Sequence, residues 1–322
     1  MQSLLDPAIL FFVFGLLAGA LRSNLEIPPP IARFLSLYLL MALGLKGGFA
    51  LAQTGFTPEV LVGLGCAVAL AFAVPALGYV LLRRLLSRFD AAALAATYGS
   101  VSAVTFITAV QHLENQGLAF SGHMPAAMAL MESPAIIMAV LLANRARRLQ
   151  AADPSGEAPH GLGRVLHESL TDGAQLLLLG AIAVGFLTGE EGQRAMQPFS
   201  GDLFKGMLSF FLLDMGLLAA RNVGALRGCS AWLLAYALLG PLVHAGLALG
   251  LARLFGLSVG DTTLLMVLAA SASYIAVPAV LRVAIPEAKP ALYFGMSLGL
   301  TFPFNILLGI PLYSAVAARF AA

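Results

Sequence analysis

The chain has 322 residues, of which 60% are hydrophobic and only 11% are charged, and its formal net charge is +2. Ordinary soluble domains carry about 25% charged residues, so the composition excludes that class, and the small net charge gives no reason to expect a nucleic-acid partner. Apolar runs recur from end to end without alternating with polar residues. This pattern favours an all-α polytopic membrane protein over a β-barrel.

We predict ten membrane spans from these runs, most of them about 20 residues long. They cover Pro7–Leu21, Ile31–Ala52, Pro58–Leu82, Ala91–Leu113, Met124–Ala143, Leu170–Thr188, Leu203–Ala220, Ala231–Leu254, Thr262–Leu281 and Ala291–Ala318. No basic segment precedes the first run, so we expect a retained helix rather than a cleaved signal. The last span is expected to kink at Pro303 and Pro311.

One polar stretch, Asn144 to Glu168, divides the chain into two halves of five spans. It begins with arginines and continues with a loop-forming sequence rich in proline and glycine. We therefore predict a five-helix repeat over 1–144, a cytoplasmic linker over 145–168 and a second repeat over 169–322. Because five is an odd number, the second half must enter the membrane from the opposite side, which predicts an inverted repeat.

The distribution of basic residues predicts the orientation, with both termini outside and the linker in the cytoplasm. Loops on one side carry Arg22, Arg33, Arg83, Arg84, Arg88, Arg145, Arg147, Arg148, Arg164, Arg221, Arg227, Arg282 and Lys289. Loops on the other side carry only Arg194, Lys205, Arg253 and Arg319.

Two polar stretches interrupt apolar runs, Tyr98-Gly-Ser-Val-Ser-Ala-Val-Thr105 and Ala270-Ser-Ala-Ser-Tyr-Ile-Ala-Val-Pro278. They align at an offset of 171 residues, which also matches Asp90 with Asp261. A single stretch of glycine and serine is explained by close helix packing. A duplicated polar break at membrane depth is instead typical of a transport site.

The chemistry of these breaks predicts an anion site. A broken helix leaves unpaired N–H groups at the start of its second half, where the helix dipole is mildly positive. Two such starts facing each other would bind an anion near the middle of the membrane. Hydroxyl donors are added by Ser100, Ser102, Thr105, Ser271 and Ser273. Since no arginine lies in either break, we expect a small, compact anion rather than a dicarboxylate.

Three ionisable residues within predicted spans stand out, Lys46, Glu132 and Asp214, because an unpaired charge at mid-membrane costs about 2.5–3.5 kcal/mol. Glu132 precedes Pro134, which frees a backbone carbonyl, and this combination of oxygens suits sodium; the alternative is a glutamate bonded within a helix kink. Asn305 occupies the corresponding region of the second half and is a weaker sodium candidate. Lys46 and Asp214 occupy neighbouring repeat positions, and we expect them to form either a structural ion pair or a coupling pair.

The chain resembles the sodium-dependent bicarbonate transporters first described from cyanobacteria, over nearly its whole length. The resemblance is carried by Leu43-Gly-Leu-Lys-Gly-Gly48, Gly99-Ser-Val-Ser102, Met131-Glu-Ser-Pro-Ala135, Ser271-Ala-Ser273, Leu281-Arg282 with Ile285-Pro286, and Gly309-Ile-Pro-Leu312. It implies ten spans in a five-plus-five inverted repeat, two crossing broken helices, an elevator movement of a core domain against a gate domain, and often a trimer. It also implies that a PII-like protein binds the cytoplasmic face, although the linker is shorter than in the cyanobacterial members.

The resemblance also implies residue roles. The substrate residues would be Gly99, Ser100, Ser102, Ser271 and Ser273, and the sodium residues would be Thr105 and Glu132. We add Val101, Ala272 and Tyr274 to the substrate candidates because they lie within the two breaks, and Asn305 to the sodium candidates from its repeat position. The chain departs from the cyanobacterial pattern in three places. Tyr274 stands where that pattern has an acid, Ala276 and Val277 replace a small polar pair, and Lys46 replaces a neutral residue.

These features together predict a secondary active importer of the inner membrane, with bicarbonate as the favoured substrate, sodium as the coupling ion and no cofactor. One alternative is a sodium symporter for a small organic acid, as in the bile-acid and related ten-span families. Another is a sensor or channel that binds an anion without coupled transport. We do not expect an enzyme, because no nucleophile and base pair stands out at membrane depth.

Overall fold

A computed structural model describes residues 5–55, 57–150, 173–226 and 228–320, and within these ranges the secondary structure is entirely helical. The helices are α1 Pro7–Ala20, α2 Pro29–Thr54, α3 Pro58–Leu82, α4 Arg88–Gly99, α5 Ala103–Gln116, α6 Met124–Gln150, α7 Gly173–Met196, α8 Phe204–Asn222, α9 Ala231–Phe255, α10 Val259–Ala270, α11 Ala276–Ala284 and α12 Pro290–Phe320. A π-helical segment, Gln197–Asp202, joins α7 to α8, and α12 contains π-helical turns at Ser297–Thr301 and Asn305–Gly309, before and after Pro303.

The protein is a multi-pass helical membrane protein. In the described part of the chain, seven helical stretches are long and apolar enough to cross a membrane. One of them, Gly173–Asn222, has 50 residues. A straight helix of that length would extend about 75 Å, more than twice the thickness of the hydrocarbon core. The backbone leaves helical geometry at Gly189 (φ 53°, ψ −136°) and again at the π-helical segment, so the stretch comprises α7 and α8.

The fifth predicted span is longer than expected. We placed its end at Ala143 and the start of a loop-like linker at Asn144, whereas α6 continues to Gln150. The added segment, Asn-Arg-Ala-Arg-Arg-Leu-Gln, is rich in strong helix formers, which explains the continuation. The rest of the predicted linker, from 151 to 168 and including Arg164, lies outside the described residues.

Four helices form two close pairs through glycines. In the pair of α1 and α8, a Cβ on Gly15 would lie 3.1 Å from the Cα of Gly216. In the pair of α2 and α7, a Cβ on Gly48 would lie 2.8 Å from the Cα of Gly185. Small residues at such positions let the backbones of membrane helices approach closely. Each pair therefore joins one helix from each half of the chain.

The two interrupted helices, α4–α5 and α10–α11, run in opposite directions. Asp90, in the first turn of α4, accepts a hydrogen bond of 2.8 Å from the N–H of Lys289, which follows α11. Asp261, in the first turn of α10, accepts one of 2.7 Å from the N–H of Ser121, which follows α5. The start of each interrupted helix is thus bonded to the chain beyond the end of the other. The two aspartates are the same pair that the 171-residue offset aligns.

Candidate functional site

The two helix interruptions are in direct contact. The first comprises Ser100–Ser102 between α4 and α5, and the second comprises residues 271–275 between α10 and α11. The N–H of Ser102 donates to the hydroxyl oxygen of Ser271 at 3.0 Å. The N–H of Ser273 donates to the carbonyl oxygen of Thr97 at 2.8 Å. Backbone groups left open by each interruption are thus partly satisfied by the other.

The first interruption is capped by Ser102. Its hydroxyl oxygen accepts from the N–H of Thr105 at 3.2 Å and from the Thr105 hydroxyl at 3.0 Å. This is the ordinary geometry of a serine N-cap, and it starts α5 immediately after the interruption. On the other side, Gly99 ends α4 against α3, where an added Cβ would lie 2.6 Å from the Pro75 ring. Gly99 therefore permits a close helix approach.

The second interruption is longer. The Ser271 hydroxyl donates to the carbonyl of Leu268 at 2.9 Å, and the Ser273 hydroxyl oxygen accepts from the N–H of Val277 at 3.2 Å. We included Pro278 in this interruption, but α11 begins at Ala276 and Pro278 lies in its first turn. A proline is tolerated there, because an N–H in the first turn has no partner within the helix.

A cavity of about 220 Å³ lies between the interruptions and three other helices. Val101, Ser102, Ser273 and Tyr274 line it, as does Glu132 of α6. The remaining wall comes from α2, α6 and α7, and most of it is apolar. One cavity thus brings together residues from both interruptions and the glutamate that the sequence singled out.

The start of α5 opens onto this cavity. Ala103 and Val104 line it together with the N-cap residue Ser102. The first N–H groups of a helix have no acceptor within the helix, so those of Ala103 and Val104 are available to a ligand. Together with the dipole of the 14-residue α5, they give this end of the cavity a positive character.

Four of the predicted substrate residues lie outside the cavity wall. Gly99 contacts Pro75, Ser271 bridges the interruptions, and Ala272 is packed among apolar side chains. Ser100 is 1% exposed, and its hydroxyl has no hydrogen-bond partner among the described residues. These residues shape the interruptions, whereas Val101, Ser102, Ser273 and Tyr274 border the space.

Tyr274 forms part of the cavity wall and is 5% exposed. Its ring packs edge-on against Phe302, with 5.1 Å between the ring centroids. Its hydroxyl lies near the Ser102 side chain but makes no hydrogen bond of normal geometry in the described part of the chain. A buried polar atom without a regular partner is unusual and is explained where a ligand or water can reach it.

The three predicted sodium residues do not share one site. Glu132 lines the cavity. Thr105 is buried behind the wall and bonded to Ser102. Asn305 donates to the carbonyl oxygen of Ala270 at 2.8 Å and accepts from the Tyr313 hydroxyl at 3.0 Å, so it satisfies the carbonyl end of α10. Of the three, Glu132 alone borders the cavity.

The expected pairing of Lys46 with Asp214 is wrong. The Lys46 ammonium lies 2.9 Å from a carboxylate oxygen of Glu114 and 4.1 Å from the ring centroid of Phe204. Phe204 begins α8, and Asp214 lies ten residues further along it, which corresponds to about 15 Å. Repeat positions that match in sequence therefore need not meet. The Lys46–Glu114 pair instead joins α2 to α5.

Sequence reasoning missed the cavity residues of α2, α6 and α7, including Ser36, Met128 and Gln175. Gln175 is 6% exposed, and its side-chain amide donates to the carbonyl oxygen of Ala129 at 2.9 Å, five residues before Pro134. A glutamine within an apolar span is a signal that could have been used. Ser36 and Met128 have no such signal, because only the packing of the helices brings them to the interruptions.

One comparison with known proteins gave a match. The family model of the Na+-dependent bicarbonate transporter superfamily matches residues 7–318, which is nearly the whole chain. No curated protein matches the sequence significantly.

Proposed function

The chain belongs to the Na+-dependent bicarbonate transporter superfamily, and on this premise we propose that it imports a small anion, bicarbonate in preference to others, in symport with sodium. The observation that carries the proposal is the cavity shared by both helix interruptions and Glu132. It offers N–H groups and hydroxyls to an anion and a carboxylate to a cation within one cavity.

The size of the cavity favours a small ion. Pockets for drug-sized organic ligands usually enclose about 300–1,000 Å³, whereas this one encloses about 220 Å³. Bicarbonate has only four non-hydrogen atoms, and it can accept hydrogen bonds from the α5 N–H groups and the Ser102 and Ser273 hydroxyls. A bile-acid-like substrate would need a larger opening. Among the described residues, no arginine lines the cavity to hold a second carboxylate.

Charge balance favours sodium as the coupling ion. An anion in the cavity would be repelled by the Glu132 carboxylate unless a cation lay between or beside them. Carboxylate and hydroxyl oxygens are ligands of hard cations, and Glu132, Ser102 and Ser273 bring these groups to one space. Importing an anion against an inside-negative potential costs about 2.3 kcal/mol per 100 mV, which co-transported sodium offsets.

We further propose the inverted repeat and the elevator movement for this chain. The proposal is supported by the antiparallel interrupted helices and by the pairing of α1 with α8 and α2 with α7. The cavity has one wall from the interruptions and another from Ser36 of α2 and Gln175 of α7. A substrate bound there would lie at a boundary across which two groups of helices can slide.

The decisive test is uptake of labelled bicarbonate into proteoliposomes containing the full chain, with and without an inward sodium gradient. We expect saturable accumulation above equilibrium that requires the gradient. Strong inhibition by acetate or pyruvate, with weak bicarbonate uptake, would support the organic-acid alternative. Equilibration without accumulation, in folded protein, would favour an uncoupled channel and overturn the proposal.

Glu132→Gln sharpens this test because it removes the charge and keeps the shape of the side chain. We expect bicarbonate uptake to lose most of its dependence on sodium concentration, since the carboxylate is the anionic oxygen ligand in the cavity. Glu59→Gln is the matched control, because Glu59 is exposed in the first turn of α3. An unchanged sodium response in Glu132→Gln would assign Glu132 a purely structural role.

A further inference from the structure

A second cavity, of about 410 Å³, lies between the end of α3, the start of α4 and α6. Four exposed arginines converge on it, together with the half-buried Tyr79. The arginines are Arg83, Arg84, Arg88 and Arg145. This cavity is separate from the one between the helix interruptions, since the two have no lining residue in common.

These arginines have no anionic partner in the described part of the chain, unlike their neighbour Arg147. The guanidinium of Arg147 makes two hydrogen bonds of 2.7 Å to the two carboxylate oxygens of Glu287. For Arg83, Arg84, Arg88 and Arg145, the described residues supply no carboxylate within ion-pair distance. Four like charges repel one another at close range, so a bound anion would stabilise this arrangement.

The cavity lies at the depth in the membrane where lipid headgroups lie. Arg83 and Arg84 directly follow α3, an apolar helix of 25 residues that is long enough to cross the membrane. The cavity therefore lies at the level of the membrane–water boundary, on the side that the basic residues predict to be cytoplasmic. Three leucines close in sequence to the lining residues, Leu81, Leu85 and Leu141, are 50%, 45% and 48% exposed. Exposed leucines at this depth suit contact with acyl chains.

We propose that this cavity binds the phosphate of an anionic phospholipid headgroup. A guanidinium can pair with two phosphate oxygens at once. Several converging arginines therefore match the oxygens of a phosphate better than they match a single point charge. Basic pockets at the ends of membrane helices on the cytoplasmic side are typical sites for anionic headgroups. The adjoining exposed leucines favour a lipid over a free phosphate, because a soluble ion would make no use of them.

The site also has a mechanical consequence. α4 carries Arg88 at its first residue and ends at the first helix interruption, and α3 carries Pro75 against that same end. A headgroup that binds the start of α4, the end of α3 and α6 would hold together three of the helices that position the interruption. The proposal is nevertheless independent of transport, and its failure would leave the proposed function intact.

The test uses the full chain in a neutral detergent, with its midpoint of thermal unfolding followed during titration with dioctanoyl-phosphatidylglycerol. A ligand that binds the folded state raises this midpoint in a saturable manner. We expect phosphatidylglycerol to do so and dioctanoyl-phosphatidylcholine not to. We expect Arg88→Gln to weaken the apparent affinity roughly fivefold, and the triple variant Arg84→Gln, Arg88→Gln, Arg145→Gln roughly a hundredfold.

Arg253→Gln is the matched control. The Tyr236 hydroxyl lies near Gly78 of α3, which places the start of α9 beside the end of α3, and Arg253 is 17 positions further along α9, about 25 Å away. Arg253→Gln should respond to phosphatidylglycerol like the unmodified chain.

An affinity of the triple variant for phosphatidylglycerol equal to that of the unmodified chain, or no saturable shift in the unfolding midpoint at all, would overturn the proposal. Inorganic phosphate or pyrophosphate acting as strongly as phosphatidylglycerol would overturn the lipid assignment and show a site for soluble phosphates.

Discussion

The two helix interruptions come from matching sequence, yet they differ in length and in what they offer to a ligand. The first has three residues and ends in a regular serine cap, after which α5 continues for 14 residues. The second has five residues, and α11 continues for only nine. Thr105 of the first aligns with Ala276 of the second, so the second lacks the hydroxyl that Ser102 binds in the first.

This difference indicates a division of roles. The first interruption presents polar groups, since Ser102, Ala103 and Val104 line the cavity at the start of α5, where the first N–H groups have no acceptor within the helix. The second contributes a hydroxyl from Ser273 and otherwise forms a wall with Tyr274 and Ile275. Two matching interruptions thus give the cavity walls that are related in position and unequal in chemistry. Substitutions at matched positions can test this inequality.

The largest effect is expected from Gly99→Ala. A Cβ at this position would lie 2.6–2.7 Å from three atoms of the Pro75 ring, which has little freedom to move. The aligned residue of the second interruption is Ala270, so the same change is already present there. We expect overpacking to destabilise the protein by about 1–3 kcal/mol and to reduce uptake. Thermal unfolding in detergent measures the first effect and proteoliposome uptake the second.

Gly65→Ala is the control for that comparison. Gly65 lies in α3, and a Cβ there would meet no atom within 4 Å, so the substitution should leave stability unchanged or raise it by about 0.5–1 kcal/mol. If Gly99→Ala were as stable as the unmodified chain, the close contact with Pro75 would not limit the size of the residue at position 99, and the first interruption would not need its glycine.

The second prediction compares Ser102→Ala with Ser273→Ala. Both serines border the cavity, but Ser102 accepts two hydrogen bonds from Thr105, whereas Ser273 accepts one from Val277. We therefore expect the Michaelis constant for bicarbonate to rise roughly tenfold in Ser102→Ala and roughly threefold in Ser273→Ala, with expression retained. Ser209→Ala serves as a control, because that hydroxyl bonds only within its own helix, to Lys205. Equal effects at the two serines would contradict the division of roles. Wild-type uptake in both variants would show that these serines do not form the substrate site.

Sequence patterns predicted the interruptions well because their cause is local. Small and hydroxyl residues weaken a helix wherever they stand, and the matching of Asp90 with Asp261 identified two residues with equivalent contacts. The pattern was less accurate at the end of the second interruption, because Pro278 is compatible with a first helical turn. Partners that depend on packing were not predictable. Lys46 contacts Glu114 because of the packing position of α2, and Gln175 reaches the cavity because of the packing position of α7. Residue spacing within either helix does not reveal these positions.

The smallest effect is expected from Tyr274→Phe. The Tyr274 ring keeps its contact with Phe302 in this variant, and the lost hydroxyl makes no regular hydrogen bond to any described residue. An unsatisfied buried hydroxyl costs about 1–3 kcal/mol, so the variant should be as stable as the unmodified chain or more stable. If Tyr274 only lines the cavity and its hydroxyl does not bind the anion, the apparent affinity for bicarbonate should change by less than about twofold. Tyr313→Phe is the matched control and should be destabilised by about 1 kcal/mol, because the Tyr313 hydroxyl donates to Asn305 at 3.0 Å. A tenfold loss of affinity in Tyr274→Phe, at unchanged stability, would mean that this hydroxyl binds the anion and that the second interruption contributes as much to recognition as the first.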